Sequence, residues 1–132
     1  MIRISLRLAF CLAIIITSCS KDDDPIQVNN PPKINPQSFT VSEALTGGGS
    51  VGKVSATDPD NDKLTFKLTT NPGALFTIDD SGNLTLAPNA QLNYETADSH
   101  QVTVEVNDGK AKASAEITIK VTEVNENTPP TI

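Results

Sequence analysis

The chain has 132 residues, with 10 basic and 16 acidic side chains, a single histidine, no tryptophan and two cysteines. That length holds one small hydrophobic core, and the acidic balance excludes a partner bound through nucleic-acid phosphates, which demand basic clusters. With His100 at the start of an expected strand and no Ser-His-Asp spacing, nucleophilic hydrolysis finds no support and a non-enzymatic role is expected; composition alone leaves only carboxylate-pair chemistry open.

In chain order, "MIRISLRLAFCLAIIITS" comes first, with Arg3 and Arg7, an apolar run from Leu8 to Ile16, and small Thr17 and Ser18. This is the layout of a secretory signal over residues 1–18, and the apolar run is short for a bilayer span. Cys19 follows directly. Ile-Thr-Ser-Cys resembles the lipobox of bacterial lipoproteins, which implies lipid on Cys19 as the first mature residue; ordinary secretory cleavage leaving a free thiol is the alternative. The next residues, "SKDDD", resemble a surface-export signal of such lipoproteins, or else serve as a polar spacer. The expected location is therefore the bacterial outer membrane, with a lipid-anchored domain facing the exterior. Loss of Arg3 and Arg7 leaves 8 basic residues against 16 acidic, a mature net charge of −8 that suits divalent cations.

Residues 19–36, ending in "PIQVNNPPKINP", lack periodicity and read as a tether. Ser20 to Pro36, fully extended at ~3.3 Å per residue, reaches on the order of 50 Å. A domain over 37–127 follows, reading as strands throughout. Phe39 and Val41 alternate with polar residues, as do Leu64, Phe66 and Leu68; Phe76 and Ile78; Leu84 and Leu86; Val102, Val104 and Val106; and Ile117, Ile119 and Val121. Val51 and Val54 flank an expected bulge at Gly52, and turn signals such as "TGGGS", "DPDND", "DDSGN" and "NDGK" separate the segments. Seven short alternating strands predict an all-β protein, an antiparallel β-sandwich with one apolar face per sheet. The paired cysteines and tryptophan of a true immunoglobulin domain are missing.

The acidic residues need their own account. Asp58, Asp60 and Asp62 open like an EF-hand loop, but Lys63 and Thr69 stand where that loop needs Gly and Glu, and the flanks are strands. A solvated acidic turn is the plain reading. Along the chain, however, "VSEAL", "ATDPDND", "FTIDDSGNLTL", "LNYET", "VTVEVNDG" and "VTEVNENTPP" follow one another in an order and at distances that resemble a cadherin repeat over about residues 34–130.

The resemblance implies a seven-strand Greek-key sandwich, cadherin/immunoglobulin-like, that binds calcium and acts in cell adhesion or protein–protein contact, homophilic or heterophilic. It assigns one ligand set, Glu43, Glu95, Glu123, Asn125, Glu126 and Asn127, to the C-terminal end. A second set, Asp58, Asp60 and Asp108, falls at the N-terminal end as half of a site shared with a preceding repeat, and Asp62 is left as a solvated bystander. Because Ca²⁺ takes six to eight oxygens, more than one turn offers, collecting them from separate segments is chemically sensible. The larger C-terminal set is expected to be the main site. Departures from the family pattern are Glu for Asp at 123 and 126 and Asn93 in place of an aspartate. "VNNPPKI" is a remnant of the family's linker, and "PPTI" in residues 128–132 repeats its ending, either as an exit or as the start of a further repeat. Two other functions are weighed: a glycan-binding accessory module, for which few aromatics are available, and a structural spacer whose acidic ends hold no metal.

Overall fold

The computed structural model describes residues 25–125. The signal, Cys19, Glu126, Asn127 and residues 128–132 lie outside that range. Each expected apolar alternation is a strand: β2 (Gln37–Ser42), β3 (Ser50–Lys53), β5 (Thr65–Thr70), β6 (Phe76–Ile78), β7 (Asn83–Leu86), β8 (Ser99–Asn107) and β9 (Lys112–Thr122). Two short strands add to these, β1 (Lys33–Ile34) and β4 (Ala56–Thr57), which pair with each other. A four-stranded sheet in the order β2-β9-β8-β5 faces a three-stranded sheet in the order β3-β7-β6.

The alternation builds the core because a strand sends successive side chains to opposite faces. Val102, Val104 and Val106 of β8 and Ile117, Ile119 and Val121 of β9 are buried, as are Leu84, Leu86 and Phe76 from the other sheet. At the expected bulge the pairing of β3 with β7 shifts register between Ser50 and Gly52. A Cβ at Gly52 would collide with the ring of Phe39, so glycine there lets the edge of β2 pack across β3. His100 fills a structural place: its ring stands edge-on to Phe76 with centroids 5.8 Å apart.

The structure departs from the sequence expectations in two places. The sandwich is not wholly antiparallel, since β2 runs parallel to β9 from Gln37↔Ile117 to Ser42↔Thr122. Because β2 runs parallel to β9, the chain enters the four-stranded sheet at one end of the domain and leaves it at the other. The segment read as the last part of the tether is also bound to the domain. Lys33 and Ile34 pair with Thr57 and Ala56, Pro32 is buried, and Ile34 packs against the core. Proline and asparagine content hid this, because the buried apolar residues here are too few to show a period.

Candidate metal centre

The N-terminal end of the sandwich gathers three chain segments. The first is the turn after β4. Asp58 Oδ1 accepts the backbone N–H groups of Asp60 at 2.8 Å and Asp62 at 3.1 Å, and Asn61 closes the turn with a positive φ of 62°. This folds the D-x-D-x-D stretch back on itself, so that one oxygen from each of Asp58, Asp60 and Asp62 lies within 4.8 Å of the others. Like charges that close repel, and they stay together only if neighbouring donors or cations compensate.

The second segment is the β8–β9 turn, where Gly109 takes a positive φ of 96°. Asp108 is buried, and its Oδ1 accepts the backbone N–H groups of Ala111 at 2.6 Å and Lys110 at 2.7 Å. The third is the incoming chain. Asn29 donates its side-chain amide to Asp108 Oδ2 at 2.9 Å, and Asn30 donates both its backbone N–H (2.7 Å) and its side-chain amide (2.9 Å) to Asp60. These donors hold both carboxyls ionised. Asp108 is pulled below the usual carboxylate range chiefly by the Ala111 N–H and the Asn29 amide, and Asp60 chiefly by the backbone and side chain of Asn30.

Two oxygens at this end are left over. Asp58 Oδ2 and Asn29 Oδ1 are both buried and accept no hydrogen bond. Buried acceptors ordinarily have a partner, and oxygen acceptors beside a carboxylate cluster are the donor set that a hard divalent cation takes. The residues therefore fit calcium. Asp62, expected to be a bystander, belongs to the cluster and accepts an ion pair from Lys110 Nζ at 3.2 Å. Sequence reasoning also passed over Asn29 and Asn30, although the linker remnant "VNNPPKI" was their signal.

The C-terminal end differs. Glu43 spends one oxygen on the backbone N–H of Val124 at 2.8 Å and the other on that of Tyr94 at 3.0 Å, and these two bonds, Val124 first, pull its carboxyl down. It thereby ties the end of β2 to the loop before β8 and to the segment leaving β9. Among the described residues Glu43, Glu95 and Glu123 do not come together as a three-carboxylate group; the one such group is Asp58, Asp60 and Asp62. Asn125 is within the described range and engaged in a contact, whereas Glu126 and Asn127 lie outside it. The glycan reading gains nothing: Tyr94 is the one exposed aromatic among the described residues, while Phe39, Phe66 and Phe76 serve the core.

Comparison with known proteins agrees with this architecture. The bacterial cadherin-like domain family matches residues 29–123. Cadherin-related family member 1 of Xenopus laevis is 35% identical over 94 residues, covering 69% of this chain and 11% of that protein. Human protocadherin-11 X-linked is 34% identical over 114 residues, covering 82% of this chain and 8% of its own length. The chain thus spans about a tenth of the curated relatives it matches. Among solved structures, human protocadherin-24 EC1-2 superposes with a TM-score of 0.68 at 28% identity, over 75% of this chain and 46% of that one. Chicken VE-cadherin EC1-2 gives 0.56 at 27% identity, over 66% and 47%.

Proposed function

This chain belongs to the bacterial cadherin-like domain family, and from that premise we propose that it is a calcium-binding adhesion or protein-contact module held on a bacterial outer membrane by lipid on Cys19. The observation that carries the calcium reading is the pair of buried, partnerless oxygens, Asp58 Oδ2 and Asn29 Oδ1, beside a three-carboxylate cluster. Asp58, Asp60, Asp62 and Asn29 would hold the ion, with Asp108 supporting Asn29 from behind. A bound calcium supplies two positive charges and a shared anchor for oxygens from separate segments. The residues themselves do the rest. Asn29 and Asn30 already fasten the incoming chain to Asp108 and Asp60, so the site sits at the joint between the membrane-side segment and the sandwich. Stiffening that joint would fix the direction in which the domain projects.

Adhesion or protein contact is the use that the family supports. Glu43, Glu95, Glu123, Asn125, Glu126 and Asn127 remain candidates for a second site, completed by a neighbour at the C-terminal end. Because one module supplies few ligands, calcium affinity is expected at the weak, ~10⁻⁴–10⁻³ M end of the range for extracellular modules. Titration calorimetry of the full chain in detergent, with Ca²⁺ against a chelated reference, tests this. Saturable heat that disappears in Asp58→Ala supports it, and no heat up to about 10 mM Ca²⁺, above the top of that range, leaves a metal-free spacer. Mass spectrometry of the mature N-terminus tests the anchor: a diacylated Cys19 supports it, and an unmodified thiol overturns it.

A further inference from the structure

One cation is already present at the acidic end. Lys110, in the β8–β9 turn, places Nζ 3.2 Å from Asp62 Oδ2, although the two residues are 48 positions apart in sequence. Its backbone N–H meanwhile bonds Asp108 Oδ1, so the residue is tied by its main chain to one aspartate and by its side chain to another. The fields of Asp108 and Asp60 reach the same ammonium, which is held charged above its ordinary range, first by the bond to Asp62. Its side chain is 62% exposed, against 33% for Asp62, so it can swing into solvent without disturbing the fold.

We infer that Lys110 is an internal counter-ion that competes with calcium for Asp62 and so sets the calcium concentration at which the site fills. Without metal, the ammonium offsets repulsion among Asp58, Asp60 and Asp62. When a divalent ion enters, that compensation becomes redundant, and a positive charge tethered near the site becomes a repulsion. An exposed lysine–carboxylate pair is weak, so it yields to the ion instead of blocking it. The effect is a higher threshold for filling, with the cluster protected from self-repulsion below it.

This inference rests on the calcium reading, and its test separates the two. Calcium titrations of the full chain in detergent compare wild type with Lys110→Met and Lys110→Arg at low and high salt. Removing a unit charge roughly 6–12 Å from a divalent ion, the reach of a lysine displaced from Asp62, is expected in high dielectric to tighten binding about three- to tenfold at low salt, and less where salt screens the field. Lys110→Arg, which keeps the charge, should stay near wild type. In chelator, Lys110→Met should melt below wild type, because the carboxylates lose their compensation; its melting midpoint should then rise further on adding calcium. Wild-type binding with an unchanged Kd in Lys110→Met overturns the counter-ion role and leaves the calcium site standing. Tighter binding in Lys110→Arg as well as Lys110→Met would show that side-chain shape, not charge, sets affinity, and would equally overturn it. Absence of binding in all three variants removes the calcium reading and this inference together.

Discussion

The two ends of this sandwich are both acidic, yet they use their carboxylates differently. At the C-terminal end Glu43 is consumed by structure, with each oxygen accepting a backbone N–H from a different loop. At the N-terminal end the aspartates exceed the donors around them, leaving Asp58 Oδ2 bare and drawing in Lys110 and two asparagines from the incoming chain. The difference teaches that counting carboxylates does not locate a metal site. What matters is how many oxygens remain after the backbone has been satisfied. Among the described residues the buried side-chain oxygens left without a donor, Asp58 Oδ2 and Asn29 Oδ1, both lie at the N-terminal end.

The contrast can be broken most drastically through the core that both ends share. Leu84 is fully buried between the sheets, and Leu84→Ala should cost about 2–5 kcal/mol, a large part of a small domain's stability. Chemical denaturation in chelator measures this, and both ends should fail together. The same experiment on wild type should give a cooperative transition without metal, because the apolar alternation lies in strands and not in the acidic turns. A disordered chain in EDTA would mean that the ends make the fold and not the reverse.

Next in size is the calcium response itself. Asp58→Ala and Asp60→Ala should weaken binding by tenfold or more (roughly 1.4 kcal/mol for each factor of ten), while Glu95→Ala should leave the isolated chain almost unchanged. The reverse order in calorimetry would place the working site at the C-terminal end, where a neighbouring module could complete it.

Acid should then act on both ends alike. Asp108, Asp60 and Glu43 all have folded-state carboxyls held below their ordinary values by hydrogen bonds. A depressed folded pKa contributes stability that is fully present above the unfolded value and lost as pH falls through the folded one. In chelator the melting midpoint should therefore be flat near neutrality and decline below about pH 4.5, as these groups approach their unfolded range. Glu43→Gln should remove only the C-terminal share of that decline. A pH-independent midpoint in wild type would show that the bonds contribute nothing to folding.

The smallest expected effect sharpens the contrast most. Glu43→Gln keeps one carbonyl acceptor and should lower the melting midpoint slightly with no change in calcium affinity. A calcium defect in this variant would mean that Glu43 does both jobs.

Much of this protein follows from local sequence. Val102, Val104 and Val106 on one strand, and Ile117, Ile119 and Val121 on the next, declare their inward face because a strand has a period of two, and that rule needs no knowledge of any partner. "NDGK" likewise specifies the hairpin turn joining them, since Gly109 accepts the positive φ that the turn requires. The ordered acidic motifs were enough to place the family. Tertiary structure alone decided where the compensating groups lie. Asn29 meets Asp108 across 79 residues, Asn30 meets Asp60 across 30, and Lys110 meets Asp62 across 48. Charge and hydrogen-bonding capacity are visible in a sequence, but whether they are spent depends on which distant segment folds alongside. That is why Asp62 passes for a bystander in the sequence and has a partner in the structure, and why β2 lies parallel to β9 when alternation alone gave it no direction.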